Sequence, residues 1–208
     1  LAHAPLPFVQ KIVGMKLGKQ LHDYANGIDN SPVLAEPEAA KGYSISTTLE
    51  EDVVRAEQAH RVLLALTDSV TARMRADGFK TYCVAVSIRS NDFKTRSHQR
   101  KLYDPTDISS EVYALCKQLF AELWDGRTPL RLIGVALTDL IKEEPAQISL
   151  FPDEKKERSR KLDAAYDAIH KKFGATAIQR GSNLQSNLKV GKKYQAQMEV
   201  NNDPKGKD

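Results

Sequence analysis

Residues 42–49 read Gly-Tyr-Ser-Ile-Ser-Thr-Thr-Leu, and this alternation decides the fold. In an extended strand, Tyr43, Ile45 and Leu49 share one face, and small or hydroxyl-bearing residues occupy the other. The stretch therefore predicts a strand with one buried apolar face and one bare polar face. Thr48 followed three residues later by Glu51 is typical of a helix N-terminus, so we expect a helix to begin there.

The segments that follow have the same two-faced character. A helical stripe before Gly78 consists of Ala59, Val62, Leu63, Leu66, Val70 and Met74. Strands are predicted at residues 81–89, 95–103 and 130–140, and the 95–103 segment is too polar for its register to be assigned. A second helix is expected to begin at Pro105-Thr106-Asp107. The order β-α-β-β-α-β predicts an α+β fold, the split βαβ or ferredoxin-like arrangement, with four antiparallel strands and both helices on one face.

The outward face of this predicted sheet carries almost only small residues. Its members are Gly42, Ser44, Ser46, Thr48, Thr81, Cys83, Ala85, Ser87, Gly134, Ala136 and Thr138. Residues 79–102 also hold six cations against the single acid Asp92, a surplus of five charges. A bare face flanked by Arg and Lys lets a nucleic-acid backbone approach closely, whereas a plain solvated sheet face usually carries Lys, Glu and Thr. We therefore favour a phosphate-backbone surface over an ordinary solvated face.

The flanking segments differ from this central unit. Residues 1–28 are predicted to be the end of a helical domain, with Phe8, Ile12, Leu17 and Leu21 at helical spacing and Gly27 as the stop. The polar, Pro-containing residues 29–40 are predicted to be a linker. Residues 154–208 are expected to form a charged tail that starts as a helix and is disordered at its end. The apolar stripe predicted for that helix is Leu162, Ala165, Tyr166, Ile169 and Phe173.

Composition excludes several classes of site. With 41% hydrophobic and 28% charged residues, the chain has the composition of a soluble globular protein, and no apolar run reaches the length of a membrane span. Cys83 and Cys116, the two cysteines, lie in apolar patterns and are expected to be free thiols in a cytoplasmic protein. The five histidines are scattered, so we predict no metal site and no catalytic residue in this chain.

Gln147-Ile148-Ser149-Leu150-Phe151 follows the last predicted strand and is bracketed by Pro145 and Pro152. Proline on both sides favours an extended, exposed segment. The pentapeptide resembles the bacterial sliding-clamp-binding motif, Gln-x-x-Leu-Phe. That resemblance implies that Gln147 hydrogen-bonds at a pocket rim while Leu150 and Phe151 fill the pocket. The alternative is that Leu150 and Phe151 pack on their own domain.

Taken together, the segments resemble the C-terminal part of a bacterial Y-family translesion DNA polymerase of the DinB or UmuC type, the ImpB/MucB/SamB family. The resemblance is carried by residues 41–49, by Arg131-Leu132-Ile133-Gly134-Val135 and by residues 147–151. It implies that residues 1–28 end the thumb, that residues 41–142 are the little finger DNA-binding domain, and that residues 143–153 carry the clamp-binding peptide.

The resemblance also implies partners and site residues. The little finger would bind primer-template DNA through its backbone, tolerant of sequence, and the peptide would bind the sliding clamp, the DNA polymerase III beta subunit. The phosphate contacts it suggests, together with charge and location, are Ser44, Ser46, Arg89, Arg96, Arg100 and Arg131. The palm carboxylates that hold Mg²⁺ in the family have no counterpart here. This chain is therefore expected to need no cofactor and to be inactive alone, and the parent to be a Mg²⁺-dependent DNA polymerase acting in damage tolerance.

Three other functions share some of these features. An RNA-recognition module has the same element order but stacks bases on outward aromatic residues, whereas Tyr43 and Tyr82 alternate inward here. A free-standing clamp-binding DNA-repair accessory protein would carry the same peptide without a polymerase. A small-molecule-binding regulator of ferredoxin-like fold would explain neither the basic stretch nor the peptide.

Overall fold

The computed structural model describes residues 1–33, 40–142, 153–174 and 177–181, and the chain divides into two compact units, residues 1–39 and 40–208. The first unit holds helix α1 (Leu6–Val13) and helix α2 (Met15–Ala25), separated at Gly14, which has φ 92°. A Cβ on Gly18 would lie 2.7 Å from the Cα of Gln10, so glycine is what lets the two helices approach. Phe8 and Ile12 of the predicted stripe are exposed.

The second unit confirms the predicted α+β order. Its elements are β1 (Gly42–Val53), α3 (Ala56–Ala76), β2 (Phe79–Ser90), β3 (Thr95–Thr106), α4 (Ser109–Leu123), β4 (Leu130–Lys142) and α5 (Glu154–Phe173). The four strands form one antiparallel sheet in the order β1-β4-β2-β3. Each β-α-β unit is split, because β4 lies between β1 and β2 while β2 lies between β3 and β4.

The core lies between the sheet and helices α3 and α4. Most of the inward strand positions predicted from alternation are buried, and the predicted α3 stripe is buried along its whole length. Tyr82, a predicted inward position, is half-buried and lies outside the core cluster. The largest side chains with no more than about one per cent exposure include Phe120, Leu63, Leu66, Met74, Leu119, Ile133 and Leu137. Burial of each such side chain contributes about 1.5–3 kcal/mol, so this layer accounts for most of the gain on folding.

Two predicted helix starts are wrong. Strand β1 continues past the Thr48–Glu51 pair to Val53, because Leu49 and Val53 keep facing the core across a bulge. Helix α3 begins at Ala56, and its N-cap residue Arg55 forms no side-chain capping bond. Likewise Pro105 belongs to β3, an edge strand with a bulge before Thr106, where a missing N–H is tolerated. Helix α4 therefore begins only at Ser109.

Helix α5 packs through the side that carries Asp163 and Asp167, which corrects the predicted apolar stripe in part: Tyr166 and Ile169 are half-buried, and the other members are exposed. Leu162 and Phe173 are 62% and 66% exposed, whereas Asp163 is buried. The Asp163 carboxylate accepts the backbone N–H of Ser109 at 2.8 Å, at the start of α4. The α5 helix is itself capped by Asp153, whose carboxylate accepts from the N–H groups of Lys155 and Lys156.

Two arginines attach α5 to the core helices. Arg75 of α3 donates from Nε to Asp167 at 2.8 Å and from a terminal nitrogen to the carbonyl of Asp107 at 2.7 Å. Arg180 donates to both carboxylate oxygens of Asp68, at 2.8 and 3.0 Å. Burial raises the pKa of Asp68 from its ordinary value, and the Arg180 guanidinium opposes that shift. We call Arg75, Asp163, Asp167, Asp68 and Arg180 the α5 anchor.

Replacing Tyr43 with phenylalanine is expected to change the stability of the domain in alkaline solution. The Tyr43 hydroxyl donates to Asp77 at 2.5 Å, and desolvation together with that bond raises the Tyr43 pKa to about 12. A raised tyrosine pKa stabilises the fold below pH ~10 and loses that contribution as pH rises towards 12. Tyr43→Phe should cost about 1 kcal/mol at pH 7. Urea unfolding at pH 7 and pH 11 should show that the difference shrinks; a constant difference would contradict the linkage.

Candidate nucleic-acid interface

The sheet face opposite α3 and α4 is built from rows of small side chains. Strand pairing places three successive rows across β1, β4 and β2: Gly42, Thr138 and Cys83; Ser44, Ala136 and Ala85; Ser46, Gly134 and Ser87. We call these nine residues the small-residue face. Ser44 and Ser46 are exposed, and Ala85, Ser87 and Ala136 are half-buried. These nine predicted outward positions thus lie on one face, whereas Thr81, also predicted outward, is fully buried and donates its hydroxyl to the Thr138 carbonyl at 2.7 Å.

The centre of this face has no room for a larger side chain at Gly134. A Cβ on Gly134 would lie 2.6 Å from the Ser87 Oγ and 3.0 Å from the Ser46 Cβ. Any larger residue at position 134 would push the neighbouring serines aside. Because the side chains here are small, a bulky ligand can approach the strands closely.

Basic and polar residues border the small-residue face. On β3 the outward positions are Thr95, Ser97, Gln99 and Lys101, which lie opposite Arg89, Ser87, Ala85 and Cys83. Arg89 lies at one end, where its Nε donates to the Thr95 hydroxyl at 2.9 Å. At the other end the Lys101 ammonium pairs with Asp139 at 2.7 Å, which raises the Lys101 pKa. Lys101 is on β3 and Asp139 is on β4, and β2 lies between these strands. The Lys101–Asp139 ion pair therefore crosses β2 at Cys83, which is 2% exposed.

Arg96 and Arg100 point to the other side of the sheet. They lie opposite the inward residues Ile88 and Val84. Arg100 donates to Gln118 at 3.0 Å and to Glu122 at 2.5 Å, both on α4. Asp125 has a pKa of about 2, chiefly because of its hydrogen bonds to Thr128, and the charge of Arg96 contributes to that shift. Neither arginine joins the small-residue face.

Arg131 occupies a bulge near the start of β4. Leu132 lies opposite Arg89 and Leu130 opposite Ser90, so Arg131 is the extra residue on β4. Its Nε donates to Asp52 at 2.5 Å, and this bond raises the Arg131 pKa. The guanidinium is 42% exposed, so it lies at the end of the sheet with its charge already partnered.

Of the predicted contacts, the structure places Ser44 and Ser46 on the small-residue face and Arg89 at its border. Arg131 lies at the same end of the sheet as Arg89, because its neighbour Leu132 pairs with Arg89. The sequence reasoning missed Lys101 as a border cation. The signal that could have found it is the alternation of β3, once Arg96 and Arg100 are assigned inward. The predicted clamp residues Gln147, Leu150 and Phe151 lie outside the described residues.

Within residues 1–33, 40–142, 153–174 and 177–181, no cluster of three or more His, Cys, Asp or Glu side chains is arranged to hold a metal ion. The part of the chain that the structure describes also has no helix that is both long and apolar enough to cross a membrane. The described residues therefore offer no set of ligands for the Mg²⁺ that is expected in a parent polymerase.

Comparison with known proteins identifies the domain. Residues 40–150 match the impB/mucB/samB family C-terminal domain. The chain is 36% identical over 174 residues to "DNA polymerase IV" of Clostridium acetobutylicum, covering 83% of this chain and 43% of that protein. It is 36% identical over 189 residues to "DNA polymerase IV 2" of Bacillus subtilis, covering 88% of this chain and 45% of that protein.

A third relative is "DNA polymerase IV" of Opitutus terrae, 32% identical over 166 residues, which are 80% of this chain and 42% of that protein. The chain thus spans less than half the length of the curated relatives that it matches. The matched domain covers the whole four-stranded sheet together with α3 and α4. The chain belongs to the impB/mucB/samB family and carries its C-terminal domain.

Proposed function

We propose that this chain is the DNA-binding and clamp-tethering part of a translesion DNA polymerase, and that the small-residue face is its DNA surface. The observation that carries the proposal is the nine-residue face itself, bordered by Arg89 and Lys101. The family membership supports it, because the curated relatives are DNA polymerases IV by name. In this proposal residues 1–28 end a thumb domain and residues 41–142 are the little finger.

A phosphodiester backbone suits this face for three reasons. Small side chains let the ligand come within hydrogen-bond distance of Ser44 and Ser46, which are exposed. Hydroxyl and main-chain donors bind phosphate oxygens without reading bases, so binding tolerates sequence. Arg89 at the border supplies charge and adds a salt-dependent contribution. We do not include Arg96 and Arg100, because they lie on the helix side of the sheet.

Other parts of the proposal rest on the sequence. Gln147, Leu150 and Phe151 would bind the sliding clamp, the DNA polymerase III beta subunit, and so raise the local concentration of the polymerase at a primer end. The parent would be a cytoplasmic, Mg²⁺-dependent DNA polymerase of damage tolerance. This chain alone would bind DNA without extending it.

The position of the aromatic residues supports DNA-backbone binding over RNA base stacking. An RNA-recognition sheet presents aromatic rings from its central strands. The central strands here present Ala85, Ser87, Gly134 and Ala136 outward, and Tyr43 on β1 is buried beneath the sheet. Tyr82 of β2 is half-buried and lies outside the nine residues of the small-residue face. No described residue of the small-residue face is aromatic.

Placing a carboxylate at the centre of the small-residue face should abolish tight DNA binding. We expect Ala136→Glu to weaken binding to a 20-base-pair duplex at least tenfold, because a bulky anion would stand where phosphates approach. Arg89→Ala should weaken binding less and should reduce the slope of log K against log salt by about 0.9. Fluorescence anisotropy over a salt series measures both.

Arg100→Ala is the matched control for Arg89→Ala. It also removes one arginine from the β2–β3 hairpin, but from the side of the sheet that faces the helices. Its duplex affinity should stay within twofold of the wild-type value. If Ala136→Glu binds as the wild type does, the small-residue face is not the DNA surface. If Arg100→Ala weakens binding as much as Arg89→Ala, the assignment of DNA to one side of the sheet is wrong.

A further inference from the structure

The hairpin between β2 and β3 contains a residue that its own backbone disfavours. The Phe93 N–H donates to the Ser90 carbonyl at 3.0 Å, and the Ser90 N–H donates to the Lys94 carbonyl at 3.1 Å. This closes a tight turn in which Phe93 has φ 62°. The left-handed conformation at this point of a hairpin is usually taken by Gly or Asn. A bulky aromatic residue there is strained.

Packing within the domain does not compensate for this strain. The Phe93 side chain is 73% exposed, so it gains little from burial. The turn that carries it is nonetheless held firmly. The Asn91 N–H donates to the Pro129 carbonyl at 3.0 Å, which attaches the hairpin to the loop before β4. Asp92 accepts from the Ser90 hydroxyl and pairs with Lys94 at 2.8 Å. The hairpin therefore presents an aromatic ring to solvent on a fixed support.

The hairpin that carries this ring is rich in cations in the sequence, since residues 89–101 hold five of them against Asp92 alone. Arg96 and Arg100 lie on the helix side and Lys101 lies at the far end of the strand pair, so Arg89 and Lys94 are the cations beside the ring on this face. The Lys94 side chain is 78% exposed, and Arg89 lies at the hairpin end of the small-residue face. A positive surround favours a polyanion over the apolar surface of another protein. An exposed ring beside cations is a combination by which proteins stack on unpaired bases.

We infer that Phe93 is a stacking contact for an unpaired base, where a duplex held on the small-residue face continues into a single strand. The inference rests on the proposed function, since it requires DNA on that face. It adds a base contact to a surface that otherwise touches only the backbone. Because every base has a flat aromatic surface, this contact would be tolerant of sequence.

Phe93→Gly separates a binding role from a structural one. Glycine accepts the left-handed conformation without strain, so the midpoint of thermal unfolding should stay the same or rise. Affinity for a duplex with a single-stranded 5′ template overhang should fall about tenfold, the loss expected for one stacked base. Affinity for the same duplex without an overhang should stay within twofold of wild type. Fluorescence anisotropy of both substrates at fixed salt measures the difference.

Tyr103→Ala is the matched control, because Tyr103 is an aromatic residue of β3 that is 98% exposed at the end away from the hairpin. It should bind both substrates as the wild type does. Phe93→Trp should keep the overhang affinity, and its added fluorescence should be quenched by the overhang substrate. Equal overhang affinity in Phe93→Gly, or an equal loss on both substrates, would overturn the inference. Failure of the wild-type chain to bind either duplex would instead remove the proposed function.

Discussion

Replacing Leu150 and Phe151 together with alanine is expected to lower the affinity for a bacterial sliding clamp by about a thousandfold. Two apolar anchors that fill one pocket typically carry about 2 kcal/mol each, and few other residues of a short peptide contribute as much. The prediction rests on the sequence Gln147-Ile148-Ser149-Leu150-Phe151. Calorimetric titration of the 208-residue chain into the clamp measures it directly.

The matched control for this experiment is Ile148→Ala with Ser149→Ala, which alters the two spacer positions. These changes should alter clamp affinity less than threefold, because the motif uses the spacers only to set the distance between anchors. Duplex binding should be unchanged in both double variants. If the intact chain fails to bind the clamp, the alternative that Leu150 and Phe151 pack on their own domain is favoured.

Replacing Arg75 with alanine is expected to destabilise the domain by about 3–5 kcal/mol. Its side chain is 14% exposed and contacts Asp163 at 3.5 Å and Asp167 at 2.8 Å. Without Arg75, the partners that the described residues leave to the buried Asp163 would be the Ser109 N–H and the more distant Arg180. Leaving a buried carboxylate without its main cation is among the costliest single changes. Urea unfolding followed by circular dichroism measures the loss.

Arg158→Ala is the control, because Arg158 lies exposed on the same helix that Arg75 holds. Its free energy of unfolding should change by less than about 0.5 kcal/mol. The amide groups of α5 should also exchange with solvent faster in Arg75→Ala than in wild type. A loss below about 1 kcal/mol would mean that the α5 anchor does not stabilise the domain.

The sequence predicted the parts of the fold in which one face is apolar. On β1, serines alternate with Tyr43 and Ile45. On β4, small residues alternate with Ile133, Val135 and Leu137. In both strands the apolar residues had to face the core, so the alternation predicted which residues face outward. Strand β3 could not be assigned, because its inward residues Arg96, His98 and Arg100 are as polar as its outward ones. As an edge strand it leaves these side chains largely exposed, and Glu122 on α4 contacts His98 and pairs with Arg100.

Helix α5 shows a second limit of periodicity. Its sequence predicts an apolar stripe, whereas the structure packs the side that carries Asp163 and Asp167 and leaves Leu162, Ala165 and Phe173 of the stripe exposed. The decisive interactions are ion pairs to Arg75 and from Arg180 to Asp68, residues far apart in sequence. Hydrophobic spacing within one helix contains no information about such partners. The same holds for Phe93, whose strain appears only in the backbone dihedral.

The position of β4 in the sheet governs how the domain can fold during synthesis. Strand β4 pairs with both β1 and β2, and Gly42 meets Thr138 across a long stretch of chain. Until residue 142 has left the ribosome, β1 has no partner and the β2–β3 hairpin has an unpaired edge. Such edges are the sites at which nascent chains associate wrongly. Completion of this sheet is therefore a late, non-local event, and a chain that ends before β4 is expected to aggregate rather than fold.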